Sequence, residues 1–301
     1  MVANVALCVG DLVEDVVVSL QSRFRLGADA GAVVVRRRGG SAANVACAVA
    51  ADGGRSRFAG RVGSDALADE LVAALQREGV DVVVERQGVT GTVVVVVADH
   101  ERSFLTDRGA SAQLAHIDDV AFRDVAWLHL SAYTLATPDG CTAVHAARRR
   151  HPKVRLSLDV ASTTLIDAVG AEEVRRWCHD LAVDVVLANE HEAAALGNES
   201  GLRRLADVAV IKRRAEPAIV VAGSARFEIP TVGPIDAIDP TGAGDAFAGG
   251  YIVASMHGAD PAEATEAGHL RARRHLTAQG TTATPRDDRE QQPDRATRKP
   301  A

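Results

Sequence analysis

The chain has 301 residues, a formal net charge of -6 and only 3% aromatic residues. That balance leaves no basic excess to follow a phosphate backbone and few rings to stack bases, which argues against nucleic acid as a partner. At about 150 residues per domain the length suits two domains, or one large α/β domain with an appendage, and 47% hydrophobic residues supply a sizeable core.

The longest apolar runs, such as Val93 to Ala98, stop well short of the ~18 residues that would mark a membrane span. No basic stretch leads into an apolar run at the N-terminus, so no export signal is expected. Cys8, Cys47, Cys141 and Cys178 are far apart and form no Cys-x-x-Cys pair, which argues against zinc or a redox pair. Buried thiols in a reducing cytoplasm are the expectation.

Val5 to Val9, ended by Gly10, reads as a buried parallel strand. The pattern returns at Trp127 to Leu130, Val154 to Val160, Val183 to Ala188, Val208 to Ile211 and Ala218 to Ala222. Between several of these lie helical stretches. In Ala66 to Glu78, Leu67, Leu71, Ala74 and Leu75 share a face; Asp139 to Arg150 ends on three arginines that suit a helix C-terminus. This alternation predicts a doubly wound, mostly parallel central sheet flanked by helices. Two stretches break it. Residues 12–38 and about 88–107 are β-rich without helices, and together they are expected to form a small β-sheet lid on a domain spanning 1–280, with an edge hairpin of the main sheet as the alternative. The strand-like character of the second stretch already begins at Val82. Residues 281–301 are polar, rich in mixed charge and poor in apolar side chains, and are expected to be a disordered tail.

Three segments carry candidate chemistry. Asp239-Pro-Thr241-Gly242-Ala243-Gly244-Asp245 precedes a stretch, Asp245 to His257, that reads as a helix. Gly242 and Gly244 would let the backbone present successive N–H groups to an anion, with Asp245 placed to take a proton from a bound hydroxyl; a structural cap is the other reading. Gly39-Gly40-Ser41-Ala42-Ala43-Asn44 opens a helix of small residues through Ala51, in which Asn44 either satisfies a buried group or holds a ligand hydroxyl. Asp15 lies past the first strand, at the edge where open α/β sheets bind ligands. In the third segment, Asn189-Glu190-His191-Glu192, a strand ends and a helix begins with two acids. These serve the helix dipole, or Asn189 and Glu192 hold Mg2+-bound water and phosphate.

Together these segments resemble the PfkB/ribokinase family of sugar and nucleoside kinases over roughly residues 3 to 280. The resemblance implies a ribokinase-like fold, ATP as donor with Mg2+, and Asp245 as general base. Gly242, Ala243 and Gly244 would form the anion hole, and Asp15, Gly39, Gly40 and Asn44 would hold substrate hydroxyls. Arg108 in Thr106-Asp107-Arg108-Gly109 would add a contact near the lid hinge, an exposed hinge arginine being the alternative. Asn189, Glu192 and Lys212 would serve the nucleotide, with Glu192 acting on Mg2+ through water. Asp239 and Thr241 stand where some members bind a monovalent cation such as K+. Lid-mediated homodimers also occur in the family.

Two departures stand out. A Lys-x-Gly-x-x-Gly-Ala stretch is usual in the family; here it reads Lys212-Arg213-Arg214-Ala215-Glu216-Pro217-Ala218, without either glycine. His269 to His275, near the adenine wall, carries Arg271, Arg273 and Arg274. The leading expectation is an ATP-dependent kinase of a small sugar, with a nucleoside kinase and a catalytically weak sugar-binding or regulatory protein as alternatives.

Overall fold

The computed structural model describes residues 4–98, 101–233 and 240–278; the expected tail and Asp239 lie outside them. Among the described residues thirteen strands form two sheets. They are β1 (Val5–Val9), β2 (Val13–Leu20), β3 (Ala32–Gly39), β4 (Arg55–Val62), β5 (Val80–Arg86), β6 (Thr90–Ala98), β7 (Glu101–Gly109), β8 (Val125–Ser131), β9 (Arg155–Asp159), β10 (Val185–Asn189), β11 (Val208–Lys212), β12 (Ala218–Ala222) and β13 (Ala225–Ile229).

The large sheet has the order β13-β12-β11-β10-β9-β8-β1-β4-β5. From β5 to β11 every pairing is parallel. β12 and β13 complete the edge as antiparallel strands. The connection from β11 to β12 is too short for a parallel crossover, so the chain turns straight back. Successive strand residues feed opposite faces. Val5, Leu7 and Val9 enter a core shared with the helices Pro138–Arg150 and Ala171–Asp180. Ala6 and Cys8 enter the other, shared with Ser41–Ala51, Ala66–Arg77 and Ala243–Met256. That double burial explains why these strands read as unbroken apolar runs.

β2, β3, β6 and β7 make a separate four-stranded sheet, in the order β3-β2-β6-β7. Its outer pairs are antiparallel and its central pair, β2 with β6, is parallel. The β-rich stretch from Val82 divides between the sheets: Val80–Arg86 pairs in parallel with β4 in the large sheet, and the small sheet takes up the chain again at Thr90. Alternation alone does not tell these two destinations apart.

The helices Ser41–Ala51 and Ala243–Met256 cross at very close range. Their small residues make this possible: a Cβ on Gly249 would lie 2.4 Å from the Cβ of Ala48. Both helices begin at the functional edge described below, so this crossing sets the distance between their first turns. Gly249→Leu is expected to wedge them apart and cost about 1–3 kcal/mol, the usual range for overpacking. Urea unfolding checks this, and an unchanged midpoint would contradict it.

Candidate active site

The chain leaves β1 toward β4 on one side and later fills β8 to β11 on the other. The crevice beyond the carboxyl ends of β1 and β8 is therefore the topological switch point, where open α/β sheets bind ligands. The register brings polar residues to that edge. Ser131 at the end of β8 is opposite Asp159 at the end of β9, and Asn189 at the end of β10 is opposite Lys212 at the end of β11.

Asp245 reaches this edge from the first turn of the helix Ala243–Met256. The helix begins two residues earlier than the sequence suggests, because Gly242 takes the left-handed N-cap position with φ of 80°. Ala243 and Gly244 are thus inside the first turn. The Ala243 N–H donates to the Pro240 carbonyl at 3.2 Å. The amides of Gly244 and Asp245 belong to a turn that offers them no intrahelical acceptor. Asp245 Oδ1 accepts from Ser41 Oγ at 2.8 Å, and Oδ2 accepts from Asn44 Nδ2 at 2.9 Å. Removal from water raises the carboxyl to about 6; the bonds from Asn44 and Ser41 oppose that rise, Asp159 adds to it and Lys212 opposes it. A carboxyl poised there is suited to taking a proton near neutral pH.

The acceptor-side candidates gather beside it. The Asp15 carboxylate lies over Gly39, where a Cβ would be 2.3 Å from its Oδ1. Gly40 has φ of 102°, and a Cβ there would lie 2.1 Å from the Asp11 carbonyl oxygen. Gly40 therefore requires glycine, while a side chain at position 39 would displace the Asp15 carboxylate. Asn44 Oδ1 accepts from Arg38 Nη1 at 2.7 Å, so both ends of its amide are engaged. Asp15, Arg38, Asn44, Thr241 and Gly242 line a cavity of about 310 Å³. Arg108 is not an exposed hinge residue. It grips Asp11 with two bonds of 2.7 Å, and its guanidinium lies 5.9 Å from the Tyr133 ring centre.

On the other flank Asn189 and Glu192 make a capping box. The Asn189 side chain accepts from the amides of His191 and Glu192, while Glu192 Oε2 accepts from the Asn189 amide at 2.8 Å. Glu192 Oε1 accepts from Asn189 Nδ2 at 2.6 Å. Burial, with Asp159 nearby, raises the Glu192 carboxyl well above its ordinary value. Lys212 Nζ donates to Asp159 Oδ2 at 2.7 Å. Burial works against the ammonium, but Asp159 and Glu192 outweigh it and hold Lys212 above its usual range. A Cβ on Gly244 would lie 3.4 Å from Lys212 Nζ, so this cation faces the start of the helix that carries Asp245. Among the described residues no three His, Cys, Asp or Glu side chains converge as a direct metal cage.

The pfkB family carbohydrate kinase model matches residues 4–288. The chain belongs to this family. A fructokinase of Klebsiella pneumoniae is 32% identical over 244 residues, covering 73% of this chain and 78% of that one. An adenosine kinase of Schizophyllum commune is 27% identical over 245 residues, covering 70% of each. Among solved structures, an adenosine kinase from Sinorhizobium meliloti matches with a TM-score of 0.81 at 22% identity, over 91% of this chain and 94% of that one. A fructokinase with bound ATP from Xylella fastidiosa matches at 0.74 and 23%, over 92% and 89%. The fold is ribokinase-like, and the protein is a kinase of the PfkB type.

The stretch Lys212 to Ala218, which lacks both glycines, still takes a left-handed turn. Arg214 adopts φ of 52°, the left-handed conformation that glycine takes at little cost. Arg213 Nε closes the loop by donating to the Pro217 carbonyl at 2.7 Å. The arginines of the helix Pro261–Ala278 are engaged with protein groups. Arg271 and Arg274 lie 3.6 and 3.4 Å from Asp52, and Arg273 donates to the Val232 carbonyl. Ser41, Arg38, Asp11 and Asp159 join the site without a motif of their own in the sequence. Of these, Asp159 is within reach of the sequence, since it ends an apolar strand at the same edge as Asn189.

The Asp245 carboxyl sits at about 6 against 3.8 for the ordinary group. Between those values the folded state binds more protons than the unfolded chain, so stability falls as pH rises through about 4 to 6. Asp245→Asn removes this cost. The variant is expected to be more stable than the wild type at pH 8, by about 1–2 kcal/mol after allowing for solvent access, with the gap closing below about pH 4. Thermal or urea unfolding at the two pH values checks the sign.

Proposed function

We propose that the chain is an ATP-dependent kinase that transfers the γ-phosphate to a hydroxyl of a small neutral sugar, with Asp245 as the base. The observation that carries this reading is the Asp245 carboxylate, held by Ser41 and Asn44 in the first turn of a helix and faced by Lys212. Phosphoryl transfer asks for in-line placement and neutralised charge more than for covalent help. Asp245 orients the hydroxyl and takes its proton. The amides of Gly244 and Asp245, together with Lys212, face the charge on the phosphoryl oxygens. Gly242 supplies the turn that starts the helix.

The donor set at the strand edge is of hard oxygens, which suits Mg2+, but Glu192 is buried and bonded to Asn189, so the fit is through water alone. When bound with ATP, magnesium supplies neutralising charge on the phosphates. For K+, Thr241 would offer its oxygens, its carbonyl being shared with His275 Nε2 at 2.8 Å. Asp239 is outside the described residues.

A neutral acceptor is favoured because the arginines around the crevice are committed to protein groups, Arg108 to Asp11, Arg38 to Asn44 and Arg271 to Asp52. Asp15 then supplies oxygens to sugar hydroxyls, with Gly39 and Gly40 allowing close approach of the backbone. The small sheet acts as a lid that excludes water. Apolar side chains remain exposed on both of its faces: Val33, Val35 and Phe104 on one, Val34 and Leu105 on the other. One face covers the crevice, and a second copy of the chain covers the other in a homodimer. The four free cysteines suit the cytoplasm, and no described helix is long and apolar enough to cross a membrane.

The test is ATP consumption against a panel of neutral monosaccharides, sugar phosphates and nucleosides. A neutral hexose or pentose is expected to turn over, and Asp15→Ala to raise its KM at least tenfold, equivalent to about 1.4 kcal/mol. Turnover of nucleosides alone, or a silent Asp15→Ala, would overturn the sugar assignment in favour of the nucleoside kinase.

A further inference from the structure

Arg38 is the penultimate residue of β3, in the small sheet, immediately before Gly39-Gly40. Its guanidinium is mostly buried, with 14% of the side chain exposed. It leaves its own sheet and meets two groups of the main body. Nη1 donates to Asn44 Oδ1 at 2.7 Å, and Nη2 lies 3.6 Å from Glu78 Oε1, at the C-cap of the helix Ala66–Arg77. Asn44 in turn donates through Nδ2 to Asp245 Oδ2 at 2.9 Å.

An asparagine amide has one accepting end and one donating end. With a guanidinium on one side and a carboxylate on the other, only one orientation gives two bonds. The reverse would set NH2 against guanidinium and carbonyl oxygen against carboxylate. The carboxylate alone already favours the observed orientation; the guanidinium fixes it from the far side, where Asn44 would otherwise be free to turn toward a ligand. We propose that Arg38 is a positioning residue for the phosphotransfer site: by gripping Asn44 Oδ1 it aims the Asn44 amide at Asp245. The same chain of bonds ties the small sheet to the base. This rests on the reading of Asp245 as the base.

Other charged and titratable groups face the same carboxylate or its cavity. Asp159 and Lys212 act on Asp245 from the strand edge, and the Cys8 thiol of β1, which burial and Asp245 keep protonated, lies in the same field. Asp15 and Arg37 of the small sheet, and Arg271 and His275 of the helix Pro261–Ala278, line the cavity next to Asn44. All of these stay in place when Arg38 or Asn44 is changed, so a double substitution separates an effect carried by Asn44 from the through-space effect of the guanidinium charge.

The experiment is a carboxyl carbon NMR titration of the full chain with labelled aspartate, the Asp245 signal being assigned by its loss in Asp245→Asn. A donor to the charged form lowers a carboxyl pKa, so its loss raises it. Arg38→Met is expected to move the Asp245 midpoint up by half a unit or more, Asn44→Ala to move it by a similar amount, and the double variant to move it no further. Arg38→Gln, which keeps a polar head at the end of β3, gives the same reading if Arg38→Met does not fold. An unmoved midpoint in the folded Arg38 variants, or full additivity with Asn44→Ala, would overturn the proposal, the latter by showing a direct charge effect. The midpoint needs no substrate. A chain that phosphorylates nothing on the panel, yet shows the non-additive midpoint, overturns the functional reading and leaves only the aim of Asn44 at Asp245 by Arg38 standing.

Discussion

The arrangement depends on one carboxylate being kept partly out of water and yet ready to ionise. Asp245 sits at the start of a helix whose remaining length is almost wholly buried, and burial alone would push its proton affinity far up. Ser41 and Asn44 pull it back by donating to the charged form. Both come from the first turn of a second helix, so this set of bonds exists only while the two helices hold their spacing. The contact of Gly249 with Ala48 sets that spacing. The small residues that look featureless in the sequence are therefore what places donor and acceptor within 3 Å of each other.

A second network complements the first across the crevice. Lys212 would be costly to bury alone, and Asp159 offsets that cost with a bond of 2.7 Å. Glu192 lies in the same field, and its capping box turns it inward. The crevice thus has the Lys212 ammonium near the helix start on one flank, and Asp15 and Asn44 with Arg37 and Arg38 beside them on the other.

Much of this was legible in the sequence, for identifiable reasons. Strands buried on both faces give continuous apolar runs, so β1 and β8 to β11 stand out; β5 reads like a strand of the small sheet because its Val-rich alternation resembles β6. Glycines at fixed offsets mark Gly40 and Gly242, where the backbone takes positive φ. Asn189 and Glu192 supported two readings, and the geometry shows that they form a cap, whatever further role they have. Arg38 and Asp11 carried no signal. Their importance comes from where a long side chain or a loop carboxylate ends in three dimensions, and the neighbouring Arg36 and Arg37 look the same in one dimension. Arg214 was visible only as a missing glycine, although the loop keeps the glycine's backbone conformation.

The central claim is that Asp245 takes the acceptor's proton, and turnover of Asp245→Asn with ATP and the best acceptor tests it most directly. The account predicts a loss of about 10²–10⁴-fold in kcat, with acceptor binding by calorimetry little changed. A variant that keeps more than about a tenth of wild-type turnover would contradict it.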